Sequence, residues 1–190
     1  MRSLLPEGFM VLTAGEAGIE PPEETGETFA ENALIKARVA ARQSGLPSVA
    51  DDSGLVVDAL DGRPGVRSAR FAADHGRPAT DDENTRLVLE LLASVPDERR
   101  RARFIAAVAF VSPEGDEAVV HGTVEGHIGH KSAGANGFGY DPIFVPEPGA
   151  RTMAELTDDR KNQISHRGKA FRQLVALLTE RYAPESKQNR

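Results

Sequence analysis

The chain has 190 residues, 39% hydrophobic and 27% charged, enough apolar mass for one domain or two closely joined lobes. A net charge of −6 argues against a surface built to hold nucleic-acid backbone, and the lack of cysteine excludes disulfides and thiolate metal sites. The longest apolar run, "FIAAVAFV" from Phe104, has only eight residues, too short to span a membrane. Pro6, Glu7 and Gly8 interrupt any secretory signal, so a cytoplasmic protein is expected.

In chain order, "FMVL" (Phe9 to Leu12) predicts a short strand, followed by a Gly/Pro/Glu-rich loop to Gly26. Thr28 with Glu31 forms a capping box that opens a helix, and Gly45 closes it; Phe29, Ala33, Ala37 and Ala40 make its apolar stripe. "SVA" is a strand leading into "DDSG", "LVVDAL" continues beyond it, and "DGRPG" is a turn. A second capping box, Thr80 with Glu83, predicts a helix through "LVLELLASV". Ala102 to Val111 and Ala118 to Ile128 predict two antiparallel strands joined at "SPEGD". A glycine-rich loop, "SAGANGFG", precedes a brief strand in "PIFVP". The last helix runs from about Ser165 to Tyr182, with Phe171, Leu174, Val175 and Leu178 at helical spacing, and the tail "PESKQNR" is loose. Helices and strands without strict alternation imply an α/β or α+β fold around one mixed sheet.

Four polar clusters carry possible chemistry. Asp51-Asp52-Ser53-Gly54 sets two carboxylates side by side next to apolar residues, which is costly unless a cation shares the space; its plain reading is a strand-end turn. Glu23-Glu24-Thr25-Gly26 is either a solvated acidic loop or, with Asp52, a source of hard oxygen ligands suited to Mg²⁺. "GFGYD" offers glycines for close backbone approach, Phe138 to stack on a flat ring and Asp141 to accept from N–H groups; its plain reading is a tight turn with core aromatics. In "KNQISHRGKAF", Ser165 stands at the N-cap with His166 and Arg167 in the first turn, where cations oppose the helix dipole unless something electron-rich binds. His121, His127 and His130 read as part of a solvated strand region, and Arg99 to Arg101 with Arg103 as charged flanking of a buried strand.

Together and in order, "EETGETFAENALIKA", "ADDSGLVVDALDGRPGVRSARFA", "FGYDPIF" and "KNQISHRGKA" resemble the inosine triphosphate pyrophosphatase family, the XTP/dITP pyrophosphatases, from about Glu23 to Ala170. The resemblance implies an α/β fold with a long mixed sheet and flanking helices, two lobes around a central cleft, and a homodimer. It implies Mg²⁺-dependent hydrolysis of non-standard purine nucleoside triphosphates to the monophosphate and pyrophosphate, cleansing the nucleotide pool. By motif, Asp52 resembles the general base and a metal ligand, Glu24 a second metal ligand, Ser53 a substrate contact and Lys36 a phosphate-binding lysine. Phe138, Gly139, Tyr140 and Asp141 resemble the base pocket, and Lys161, His166 and Arg167 its polar wall.

The chemistry agrees with these roles. A 6-oxo purine presents an acceptor that Lys161 or Arg167 can satisfy, whereas adenine presents an N–H donor there. The helix-terminus argument alone would place phosphate at His166 and Arg167; the family pattern assigns them to the base. Relative to that pattern, "MRSLLPEG" resembles the end of the helix that follows a Ser/Thr-x-Asn-x-x-Lys phosphate loop. The expectation is therefore a single domain over residues 1–190 that lacks the first strand and loop, with both encoded in frame upstream. A nucleotide-binding relative without turnover is the alternative that such a loss would favour.

Overall fold

The computed structural model describes residues 10–182. The readings of "MRSLLPEG" and of the tail "PESKQNR" lie outside them, as does Phe9 of the expected first strand; Met10 to Leu12 form no strand. Helix α1 (Phe29–Ser44) starts at Thr28, whose side chain accepts from the Glu31 N–H while Glu31 reciprocates, and it stops at Gly45 in the left-handed region. Helices α2 (Asp81–Leu91), α3 (Asp158–Ile164) and α4 (His166–Tyr182) complete the helical set. The strands are β1 (Ser48–Val57), β2 (Arg101–Val111), β3 (Glu117–Ile128) and β4 (Phe144–Pro146), paired in that order.

An α/β architecture with flanking helices is what the sequence predicts, but every pairing among the described strands is antiparallel, where a mixed sheet was expected. The β2–β3 hairpin through Ser112 to Asp116 accounts for one antiparallel pair, and β1 and β4 add on its two sides. "DDSG" is no strand-end turn either. Asp51 to Gly54 pair continuously with Val108 to Ile105 inside β1. Helix α2 keeps only half of its capping box: Thr80 accepts from Glu83 N–H, while the Glu83 carboxylate pairs with Arg86 and the helix ends by Leu91.

Helices pack on both faces of β2, and strand alternation separates them. On one face Ala33, Ala37 and Ala41 of α1 meet Ala107 and Ala109; Ala41, not Ala40, completes the buried stripe. On the other face Ala170, Leu174 and Leu178 of α4 meet Ala106, Val108 and Phe110. A third cluster gathers Leu55, Phe71, Val88, Phe104, Ile128 and Phe144 farther along the sheet, under α2. Arg100 there is no flanking charge: it is 2% exposed, and its guanidinium donates to the carbonyls of Leu92, Val95, Ile128 and Gly129. Burial lowers its pKa, yet those four acceptors satisfy the fork without a carboxylate. The short helix α3 escaped the sequence reading because Asp158 to Ile164 carries no apolar period; none of its residues is buried.

The first turn of α4 docks unusually close. A side chain at Gly122 of β3 would put its Cβ 2.0 Å from the His166 carbonyl oxygen and 2.7 Å from the Ala170 nitrogen. The His166 ring stacks on Phe104 with centroids 4.8 Å apart and planes 13° from parallel. Ser165 caps the helix as expected, its Oγ accepting from Gly168 N–H.

Gly122→Ala is expected to lower unfolding free energy by about 1–3 kcal/mol, the usual cost of overpacking, measured by urea denaturation; stability equal to the parent would contradict this docking. Acid should also weaken the fold here. Burial first, then the charges of Arg167 and Lys161, depress the His166 pKa from 6.5 to about 3, so the unfolded chain binds a proton that the native one refuses. Stability is therefore full above pH 6.5 and declines as pH falls toward 3. His166→Gln should show a shallower decline across that window in parallel denaturation curves, and identical slopes would refute the assignment.

Candidate active site

Antiparallel pairing holds β1 extended, so Asp51 and Asp52 project to opposite faces of the sheet. Each finds its own cation. Asp52 turns toward α1, where Lys36 Nζ lies 2.9 Å from its Oδ1 and Asn32 Nδ2 donates to its Oδ2 at 3.3 Å. The same Lys36 Nζ stands 3.0 Å from Glu24 Oε1, and Arg70 approaches the other Glu24 oxygen at 3.4 Å. Asn32 also fixes the loop, accepting the Gly26 N–H on its Oδ1 at 2.8 Å. Two acidic side chains from separate segments thus converge on one lysine.

Burial lifts the Asp52 carboxyl above the ordinary aspartate range; Lys36 and Asn32 pull it back without reversing the shift. For Lys36 burial acts downward, but the hydrogen bonds and charges of Asp52 and Glu24 outweigh it and leave its pKa raised. No group of three or more His, Cys, Asp or Glu side chains gathers to hold a metal among the described residues. Glu24 and Asp52 are hard oxygen donors nevertheless, sharing a cation already. Two carboxylates suit an ion that completes its shell with waters and substrate phosphates.

Asp51 faces the opposite way and meets the fork of Arg167: Nε lies 2.9 Å from its Oδ2 and NH2 3.0 Å from its Oδ1. This resolves the first-turn cations of α4, since Arg167 has a carboxylate and His166 is uncharged. Beside them opens a cavity of about 630 Å³, lined in part by Ser53, Asp81, Phe138, Lys161, His166 and Arg167. Phe138 is 63% exposed, an unusual state for a large aromatic, and Lys161 Nζ sits 5.4 Å from its ring centroid. Lys161 also reaches Asp141 Oδ2 at 2.7 Å, the same oxygen that accepts the Phe138 N–H. Gly137 permits this, because a Cβ there would lie 2.1 Å from that oxygen, and its φ of +85° suits glycine.

The predicted residues therefore fall into two groups. Glu24, Lys36 and Asp52 cluster on the α1 face, while Ser53, Phe138, Gly139, Tyr140, Asp141, Lys161, His166 and Arg167 line the cavity on the α4 side. Tyr140 is 4% exposed and spends its hydroxyl on the Ser68 carbonyl at 2.8 Å. Sequence reasoning missed Asn32, Arg70 and the Asp51–Arg167 pair. The spacing of Asn32 and Lys36, one helical turn apart, could have revealed the first; nothing local links Arg70 to Glu24 or Asp51 to Arg167. Of the histidines around β3, His121 is exposed and His127 half-buried, while His130 lies past the strand's end, exposed and paired with Asp97.

A family model described as the Ham1 family matches residues 1–177. A dITP/XTP pyrophosphatase of Cutibacterium acnes is 55% identical over 159 residues, 83% of this chain and 76% of that protein. One from Frankia alni is 52% identical over 181 residues, covering 94% and 90%. The solved structure of a HAM1 protein from Coxiella burnetii superposes with a TM-score of 0.86 at 46% identity, covering 94% of this chain and 91% of that one. Sheet, helices and sequence blocks agree, and the chain belongs to the Ham1 family.

Proposed function

We propose that this chain hydrolyses non-standard purine nucleoside triphosphates, those of inosine, deoxyinosine and xanthosine, to the monophosphate and pyrophosphate. One observation carries the reading: a carboxylate–lysine cluster and an aromatic, cation-lined cavity stand on the two sides of one strand. The names of the relatives, dITP/XTP pyrophosphatases, support the same substrate class. Strand β1 ends the sheet order among the described residues, so a ligand with its base in the cavity can reach Asp52 across that edge.

In this reading Asp52 takes the proton of the attacking water, and its raised pKa makes it a better base than an ordinary aspartate. Lys36 neutralises phosphate charge from the position it holds between Glu24 and Asp52. Mg²⁺ held by Glu24 and Asp52 would supply further charge neutralisation on the phosphates. The exposed face of Phe138 stacks on the purine, and Ser53 touches the substrate where the strand enters the cavity. Lys161 and Arg167 carry only donors, so they satisfy a 6-oxo group and leave the adenine amino group opposed. Neutral His166 forms the wall without adding charge. Residues 1–190 as one catalytic domain, a homodimer and a cytoplasmic location belong to the same proposal; no described helix is long and apolar enough to cross a membrane.

The direct test is pyrophosphate release from inosine triphosphate with Mg²⁺, compared with adenosine triphosphate. Asp52→Asn should cut kcat by about two to four orders of magnitude, the usual contribution of a positioned base, with an unchanged circular dichroism spectrum. Retained turnover at saturating Mg²⁺ would reject Asp52 as the base. Arg167→Ala should narrow the inosine-to-adenosine ratio of kcat/KM by about one to two orders of magnitude. Equal losses on both nucleotides would instead assign Arg167 to the phosphates.

A further inference from the structure

Between the two clusters lies a short 3-10 segment, Gly65–Arg70, that holds none of the site residues predicted from the sequence. Ser68 at its centre is 8% exposed and touches three parts of the molecule. Its Oγ accepts the Leu55 N–H of β1 at 2.9 Å and donates to the Gly65 carbonyl at 2.6 Å. Its carbonyl receives the Tyr140 hydroxyl at 2.8 Å. The fit against β1 is tight: a Cβ on Gly54 would lie 2.3 Å from Ser68 Oγ and 2.6 Å from the Gly65 carbonyl oxygen. At the end of the same segment Arg70 reaches Glu24.

These contacts connect the strand that carries Asp52 with the loop that carries Phe138 and Asp141. Tyr140 lies between those two loop residues, and burial pushes its phenol pKa up, keeping it a neutral donor. The loop is held from α2 as well, where Asp81 accepts the Gly139 N–H at 2.7 Å and Thr85 donates to the Gly139 carbonyl. Those two bonds anchor the loop to a helix. The Tyr140–Ser68–Leu55 path, by contrast, runs from the loop into β1.

Resting on the nucleotide reading above, we infer that Ser68 is a positioning residue. Through Tyr140 and Leu55 it sets the distance between the base held by the cavity and the water activated at Asp52. A base clamp and a general base on separate elements help only if their separation matches the substrate, and a misplacement of about 1 Å can cost on the order of 100-fold in rate. Ser68 borders the cavity, but its hydroxyl is engaged by Leu55 and Gly65 and its carbonyl by Tyr140, so it acts through the groups it ties together.

Tyr140→Phe tests this with the ring retained, and Ser68→Ala removes the bond to Leu55. Both are compared with the parent in kcat for inosine triphosphate, Kd for inosine monophosphate by calorimetry, and Tm. The expected result is a fall in kcat of about 10- to 100-fold in each variant, with inosine monophosphate affinity within about twofold of the parent. Should Ser68→Ala fail to fold because the Leu55 N–H is left unpaired, Tyr140→Phe alone decides. A lowered Tm with kcat unchanged would overturn the assignment and leave Ser68 structural. Loss of inosine monophosphate affinity at constant kcat would overturn it in favour of a direct base contact. A parent protein that releases no pyrophosphate from inosine triphosphate rejects the activity itself, whereas an active parent with unchanged variants rejects only the positioning role.

Discussion

The organising constraint of this protein is the pleat of a single strand. Neighbouring carboxylates would repel strongly if they shared an environment, and the extended backbone of β1 sends them to opposite sides of the sheet. Asp52 is then compensated by an ammonium from α1 and Asp51 by a guanidinium from α4. Pairing with β2 is what keeps the strand extended, and the helices on each face exist in part to deliver those cations. Had the motif been a turn, both acids would have faced one pocket and competed for one partner.

The same division explains why the two halves of the site differ in character. The α1 side is compact and charged, with alanines that let the helix lie close to the sheet. The α4 side is roomier and aromatic, with Phe138 uncovered at the cavity and a neutral His166 stacked on Phe104. A highly charged ligand segment suits the first, and a flat heterocycle suits the second. A ligand that fills both must cross the rim of β1, where Ser53 stands.

Local physics made much of this legible beforehand. Thr28, Glu31, Gly45 and Ser165 announce helix ends through their own hydrogen bonds, and the β2–β3 hairpin shows in two apolar runs around a turn. What stayed hidden was set by distant contact. Arg100 sits within a run of arginines that reads as solvated charge, yet the backbone carbonyls from α2's end and β3 enclose it. The strandedness of "DDSG" was masked because acids, serine and glycine favour turns, and only the β2 partner overrides that preference. Likewise the candidate residues could be named one by one from their motifs, but their partition between two faces required the register.

The alanine stripe of α1 carries a consequence for how this protein can change over evolutionary time. Ala33 and Ala37 are fully buried against the sheet, and Lys36 belongs to the same turn of helix. The helix therefore behaves as a gauge block: its stand-off from the sheet determines whether an ammonium of fixed length can touch Asp52 and Glu24 at once. Added bulk at either alanine would be felt less as a packing defect than as a detuned electrostatic contact several ångströms away. Drift at these two apolar positions is thereby coupled to the charge balance of the cluster, although neither residue bears a polar atom in its side chain.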